Sequence, residues 1–189
     1  SSDVCSSDLS GLFLGGWSQG GHNTGAVLQS LEAKGVTVKA AFTASNPNDP
    51  YAALNAIFFH PQPTDSPWFS AMVGQVAFSC ETFGGPVGLA ANTLNPDVFQ
   101  DANTLYRRTY GHPAGDPKVL KAMLTTRPLL SFLRPALRDP AAFAASDLGR
   151  CLARNEVFRQ DIKADVRIYY GTDDQIIRQH LGQIGRAHV

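Results

Sequence analysis

The sequence predicts an α/β fold in which a parallel sheet is interrupted by a mostly helical insertion. Apolar strand patterns alternate with a helical pattern over residues 10–48, and a strand pattern returns only within residues 161–182. The segment between them is rich in proline and in aromatic residues, which suits irregular helices better than strands. We therefore expect a core at 10–48 and 161–182, and a cap or lid insertion with its return helix at 49–160.

The first core segment has the pattern of a βαβ unit. Residues 12–14 form a short apolar run between glycines, and a helical pattern follows it as far as Ala33, where Lys34 and Gly35 provide a stop. A second apolar run covers 36–44. Strand, helix and strand joined by short connections favour parallel pairing with a right-handed crossover.

The insertion begins with a change of amino-acid composition. Residues 47–67 contain five prolines, and further prolines break the segments that follow. Regular alternation resumes in a third strand, which Gly171 ends, and the acidic pair Asp173 and Asp174 lies in the loop beyond it. The alternating apolar residues of that strand are Val166, Ile168 and Tyr170.

Bulk composition excludes several classes of protein. The chain has 189 residues, 43% of them hydrophobic, with 16 basic and 16 acidic side chains. A zero net charge without a long basic run argues against nucleic-acid binding. No apolar stretch approaches the roughly 20 residues that span a bilayer. Cys80 and Cys151 could form a disulfide in an exported protein or remain buried thiols, and the sequence leaves both open.

The two ends of the chain have an unusual composition. Ser-Ser-Asp occurs at 1–3 and again at 6–8, and Ser-Ser-Asp-Leu is what TCT-TCC-GAT-CTN encodes, a string that resembles a sequencing adapter. The tail at 184–189 similarly resembles the translation of the opposite adapter. We therefore expect residues 1–9 and about 183–189 to be non-native, and the remainder to be an internal fragment of a longer protein.

The pentapeptide Gly16-Trp17-Ser18-Gln19-Gly20 matches the pattern G-x-S-x-G. An apolar strand precedes it and a helix follows, which is the context that a serine nucleophile at a tight strand-to-helix turn requires. The backbone N–H of Gln19 would then stabilise negative charge as an oxyanion-hole donor. The alternatives are a serine that caps the helix and a glycine-rich phosphate loop, although the Walker lysine and the G-x-G-x-x-G pattern are both absent.

With these motifs the sequence resembles the α/β-hydrolase family, in particular its lipases and esterases. The resemblance covers residues 11 to about 48 and 166 to about 177. It implies a partial α/β-hydrolase fold in which Ser18 is the catalytic nucleophile and Asp174 is the triad acid, with Asp173 as the second choice. The alternative for the acidic pair is an ordinary solvent-facing turn.

The resemblance also implies a catalytic histidine after the acid, and none of the five histidines fits. His22, His60 and His112 precede Asp174, His180 follows it by too few residues, and His188 lies in the expected non-native tail. We therefore expect the catalytic His to be absent from this chain, which by itself would be inactive.

These observations predict a serine hydrolase of carboxylic esters that acts on a small-molecule ester or lipid-like substrate. No cofactor and no metal site are expected, since the Cys and His spacing fits no metal centre. A peptidase or acyltransferase could use the same nucleophile. A binding protein of the same fold that lacks a working triad is the alternative from another class.

Overall fold

The computed structural model describes residues 11–109, 128–157 and 161–182. His112, His188 and both expected non-native ends lie outside the described residues. Within them the elements are β1 (Leu12–Trp17), α1 (Gln19–Ala33), β2 (Val38–Ala44), α2 (Pro50–Phe59), α3 (Trp68–Thr82), α4 (Leu89–Thr93), α5 (Pro96–Thr109), two 3-10 turns (Leu129–Phe132 and Pro135–Leu137), α6 (Pro140–Ala144), α7 (Asp147–Arg154), β3 (Asp165–Tyr169) and α8 (Gln179–Gly182).

These elements divide into two compact units. The first unit contains the residues up to Asp49 and those from Glu156 onward, and it holds all three described strands. The second unit, Pro50–Asn155, is helical in its described part. That the second unit acts as a cap or lid stays a prediction.

The sheet of the first unit is parallel, in the order β1-β2-β3. This confirms the expected α/β arrangement of strands. β1 reaches Trp17, so the strand continues beyond the short apolar run between glycines at 12–14. A Cβ on Gly15 would lie 2.2 Å from the Phe42 ring of β2. Glycine is therefore the residue that this position of the strand can hold, because the ring leaves no room for a side chain.

β2 begins two residues later than the apolar pattern at 36–44 suggested. The N–H of Val36 donates to the Leu31 carbonyl at 2.9 Å and that of Gly35 to the Glu32 carbonyl at 2.9 Å. Gly35 has φ 75°, a conformation that glycine adopts without steric cost. Val36 therefore belongs to the turn that closes α1, as is common at helix C-termini.

α1 packs on one face of the sheet. Buried side chains from α1, β2 and the residue before β3 form this core: Leu28, Val38, Ala41 and Ala164. The alternate side chains point to the other face, where the large apolar residues are exposed: Phe13, Trp17, Phe42 and Tyr169. The Glu32 carboxylate fixes the chain before β3, since it accepts hydrogen bonds from the Lys163 and Ala164 N–H groups at 3.0 and 2.9 Å.

The second unit has its own core and a covalent link. Cys80 of α3 and Cys151 of α7 form a disulfide with their Cα atoms 6.1 Å apart, which resolves the choice that the sequence left open. Phe58 and Phe143 are buried edge to face, with ring centroids 5.3 Å apart. Among the described residues, no helix combines the length and the apolar character that crossing a membrane requires.

Candidate functional site

Ser18 lies at a sharp turn between β1 and α1. Its backbone has φ 52° and ψ −127°, a positive-φ conformation that agrees with the tight strand-to-helix turn expected from the glycine-flanked motif. The Ser18 N–H donates to the Ala44 carbonyl at 2.8 Å, and the Ser18 carbonyl accepts from the N–H groups of Gly21 and His22 at 2.9 and 3.2 Å. Its side chain makes no capping hydrogen bond to the helix. The structure therefore does not support the alternative in which Ser18 is a capping serine.

The glycines around Ser18 differ in how much space a side chain would have. A Cβ on Gly16 would lie 2.2 Å from the Gly20 carbonyl oxygen and 2.5 Å from the Thr24 hydroxyl oxygen. A Cβ on Gly21 would lie 2.7 Å from the Asn46 Cβ, whereas a Cβ on Gly20 would meet nothing within 4 Å. α1 can therefore lie this close to β1 only because residue 16 has no side chain, and this close to the loop after β2 only because residue 21 has none.

Gln19 is the first residue of α1, directly after Ser18. The first N–H groups of a helix have no acceptor within the helix, and the helix dipole makes this end positive. The Gln19 N–H can therefore donate to an anionic atom held beside the Ser18 hydroxyl. Its role as an oxyanion donor stays a prediction.

The loops that follow the three parallel strands form one cleft of about 540 Å³. The carboxyl ends of parallel strands lie at the same edge of a sheet, which is where open α/β folds bind ligands. The cleft is lined by Trp17, Ser18, Ser45, Gly171, Thr172, Asp173, Asp174, Ile176 and Ile177. The structure thus brings the predicted serine and both acidic candidates to one place.

The two aspartates of the cleft differ in their surroundings. Asp174 is half-buried, and its Oδ1 atom accepts hydrogen bonds from the N–H groups of Ile176 and Ile177 at 2.8 and 2.9 Å. These bonds hold the carboxylate through Oδ1 and use neither lone pair of Oδ2. Asp173 is exposed. A carboxylate fixed by its own loop suits the orienting role better, so the geometry favours Asp174, whose role remains a prediction.

No histidine of the described residues lines this cleft. The His22 Nδ1 atom lies 3.0 Å from the Pro47 carbonyl oxygen, and because a carbonyl only accepts, Nδ1 carries the proton. Burial lowers the pKa of His22, although the hydrogen bond to Pro47 opposes that shift. His60 and His180 are both exposed.

The sequence analysis missed Ser45, a further polar residue of the cleft. Ser45 directly follows β2 and has φ 44°, and its N–H donates to the Tyr169 carbonyl at 2.9 Å. The signal was present in the sequence, since a polar residue follows the apolar strand that ends at Ala44.

Comparisons with known proteins identify the fold. No family model matches the chain, and no curated protein matches it. A ligand-bound form of LipA from Xanthomonas oryzae, described as a rice cell wall degrading esterase, is similar with a TM-score of 0.73 and 19% identity, over 95% of this chain and 47% of that one. A second LipA structure gives a TM-score of 0.72 and 18% identity, over 95% and 48% of the two chains. The structure of a protein from Legionella pneumophila is similar with a TM-score of 0.70 and 15% identity, over 94% of this chain and 47% of that one.

At these identities the likeness shows the fold alone. The chain has a partial α/β-hydrolase fold, as the resemblance implied, and it spans about half the length of the solved structures that it matches. The parallel sheet with its helices is the part of that fold present here.

Proposed function

We propose that this partial α/β-hydrolase fold carries the nucleophile and the acid of a serine ester hydrolase of the lipase or esterase type. Ser18 is the nucleophile, Asp174 orients a histidine, and the Gln19 N–H stabilises the oxyanion. The observation that carries the proposal is the backbone of Ser18. A serine held at φ 52° and ψ −127° is strained, and strain of this kind is concentrated at functional sites.

The proposed reaction proceeds through an acyl-enzyme. A histidine accepts the Ser18 hydroxyl proton while Oγ forms a bond to the ester carbonyl carbon, whose oxygen becomes the oxyanion that the Gln19 N–H binds. The tetrahedral intermediate collapses, the alkoxide leaves with the proton from the imidazolium, and the acyl group stays on Ser18. Water then attacks the acyl-enzyme by the same steps and releases the carboxylic acid.

We propose that the histidine comes from a segment outside this chain. None of the described histidines lines the cleft, and the His22 ring is already bonded to the Pro47 carbonyl. The half-length match to solved α/β-hydrolase structures is consistent with a longer protein. The 189-residue chain by itself is then expected to show little or no hydrolysis, because losing one triad member removes several orders of magnitude in rate.

The expected substrate is a small or lipid-like carboxylic ester. Trp17, Ile176 and Ile177 give the cleft apolar surface beside Ser18, which suits an apolar acyl or alcohol group. The similar LipA structures are described as those of an esterase, which agrees with this choice. The mechanism as written uses side chains and backbone only and assigns no role to a cofactor.

The test is p-nitrophenyl butyrate hydrolysis combined with labelling by a fluorophosphonate probe. The assays are run on this chain, on the longer protein that contains it, and on the Ser18→Ala form of each. Ser30→Ala is the matched control, since it removes an exposed hydroxyl from α1 of the same unit. We expect turnover and labelling by the longer protein, loss of both with Ser18→Ala, and no change with Ser30→Ala.

Other outcomes would overturn parts of the proposal. Ser18-dependent turnover by this chain alone would contradict an outside histidine and make His180 the candidate base. A longer protein that neither reacts with the probe nor hydrolyses the ester would instead support a binding protein of the same fold. Cleavage of p-nitroanilides in preference to esters would indicate a peptidase, and acyl transfer to added alcohols in preference to water would indicate an acyltransferase.

A further inference from the structure

We infer that Ser45 is a positioning residue of the same site, whose hydroxyl contacts the imidazole that bridges Ser18 and Asp174. This inference rests on the proposed function and adds to it a residue that neither the motif nor the triad includes. It starts from three observations: the place of Ser45 in the sheet, its backbone conformation, and the contacts that hold the loop after it.

The sheet order places Ser45 between the nucleophile and the acid. β2 is the middle strand, so the residue that follows it lies between the residue that follows β1 and the loop that follows β3. Neighbouring strands are about 4.8 Å apart, so the outer two are separated by about 10 Å. A five-membered ring with one hydrogen bond at each end spans a gap of this size. An imidazole that bridges Ser18 and Asp174 must therefore pass over Ser45.

The backbone of Ser45 is strained in a way that few residues tolerate. Among the described residues, Ser18 and Ser45 are the two non-glycine residues with positive φ, at 52° and 44°. Both directly follow neighbouring strands, and both line the same cleft. A positive φ at a non-glycine residue persists only where the surroundings impose it, and such residues cluster at ligand and catalytic sites.

The loop after Ser45 is held firmly from several sides. The N–H of Ser45 donates to the Tyr169 carbonyl at 2.9 Å, and the N–H of Val157 donates to the Asn48 carbonyl at 2.9 Å. The buried Asn46 side chain donates from Nδ2 to Asn48 Oδ1 at 2.6 Å. The backbone that carries the Ser45 side chain is therefore set before any ligand or histidine arrives, as a positioning group requires.

A hydroxyl at this position can assist proton transfer without exchanging a proton itself. Its oxygen can accept a weak hydrogen bond from a ring C–H of the imidazole. That C–H becomes more strongly polarised when the ring takes the Ser18 proton and becomes positively charged. A contact of this strength corresponds to a change of about two- to fivefold in affinity or rate.

Free imidazole offers a direct test on the chain as it exists. Imidazole added to the solution takes the Ser18 hydroxyl proton, Oγ bonds to the phosphorus of a fluorophosphonate probe, and fluoride leaves. The products are phosphonylated Ser18, fluoride and imidazolium. Intact-protein mass spectrometry measures the labelling rate against imidazole concentration, which gives an apparent dissociation constant for imidazole and a maximal rate.

Two variants separate the hydroxyl from the backbone. Ser45→Ala removes the hydroxyl and keeps Cβ in the strained conformation, whereas Ser45→Gly removes the hydroxyl and relieves the strain. We expect both to raise the apparent dissociation constant for imidazole, or to lower the maximal rate, by about two- to fivefold. Ser30→Ala is expected to leave both quantities unchanged. Because Ser45→Gly is free of the strain, loss of folding cannot explain a common effect of both variants.

Each remaining outcome has one meaning. Ser18-dependent labelling with the same imidazole dependence in both Ser45 variants overturns the role of Ser45 and leaves the proposed function intact. An effect of Ser45→Gly alone shows that only the backbone matters and also overturns it. If imidazole produces no labelling of the unchanged chain, the role of Ser45 fails, and labelling of the longer protein decides the proposed function separately. Imidazole-dependent labelling that persists in Ser18→Ala contradicts Ser18 as the nucleophile, and the proposed function and the role of Ser45 then fail together.

Discussion

Removing the disulfide between Cys80 and Cys151 is expected to destabilise the second unit by about 4 kcal/mol. The perturbation is the double substitution Cys80→Ala and Cys151→Ala. Both residues lie in helices of the same unit, at a sequence separation of 71. The bond therefore restricts a long loop of the unfolded chain.

The magnitude follows from the length of the loop. In the chain-entropy relation, the cost of closing a loop rises from about 3 kcal/mol for 15 residues to about 4.7 kcal/mol for 100 residues. A separation of 71 lies toward the upper end of this range. With a urea dependence of about 2 kcal/mol per molar, the loss moves the unfolding midpoint of the unit by about 2 M.

The assay uses the positions of the two tryptophans. Trp68 begins α3 in the second unit and Trp17 ends β1 in the first, so Trp17→Phe leaves one fluorescent reporter in the unit that carries the disulfide. Urea unfolding of this background is compared with and without the double cysteine substitution. Cys5→Ser is included in both proteins, so that no other thiol can exchange with the bond.

A midpoint that moves by less than about 0.5 M urea, with the oxidised bond confirmed by mass spectrometry, would refute the reasoning. It would mean that the unfolded unit is already as restricted without the bond as with it. The reverse background, Trp68→Phe, reports on the first unit and provides the matched control.

Two further predictions concern the first unit. Ser18→Gly is expected to raise the free energy of unfolding by about 1 kcal/mol, because glycine adopts the backbone conformation of Ser18 without strain. Ser18→Ala keeps the strain and is expected to bring no such gain. Thermal unfolding measures both variants, and a lower melting temperature for Ser18→Gly than for the unchanged chain would contradict the strain. Because burial lowers the pKa of His22 below its usual 6.5, the folded state favours the neutral ring, so stability is full above about pH 6.5 and is lost as the pH falls through the lowered pKa. The free energy of unfolding of His22→Gln should therefore fall less than that of the unchanged chain when the pH is lowered from about 7 to about 5. Urea titrations at the two pH values measure both losses. Equal losses would show that His22 contributes nothing to the pH dependence of stability.

The sequence predicted those features that depend on residues close together in the chain. Apolar runs and a helical period gave the strand, helix and strand of the first unit. The glycines around Ser18 predicted a tight strand-to-helix turn, because a turn this tight follows from the small size of its own residues, and the positive φ of Ser18 agrees with it. The end of the third strand indicated the acidic pair Asp173 and Asp174, the family resemblance favoured Asp174 of the two, and both line the cleft.

Features that depend on distant residues could not be predicted in this way. β1 includes Gly15, and residue 15 must be glycine there because the Phe42 ring of the next strand occupies the space that a side chain would need. The sequence shows a polar residue directly after the strand that ends at Ala44, but the order of the strands is needed to place Ser45 between the other two. The pairing of Cys80 with Cys151 depends on the packing of two helices, which the sequence analysis did not place against each other.

The unequal packing of Gly16 and Gly20 affects how relatives of this chain can be recognised. The first glycine of the pentapeptide is fixed by the helix backbone, whereas the second faces open space and could carry a methyl group. Alanine at that place would also favour the helix by about 1 kcal/mol. A homologue with alanine there would keep the same turn yet escape a pattern search that demands both glycines. A profile that weights the first glycine heavily and allows small residues at the second would recover such a homologue.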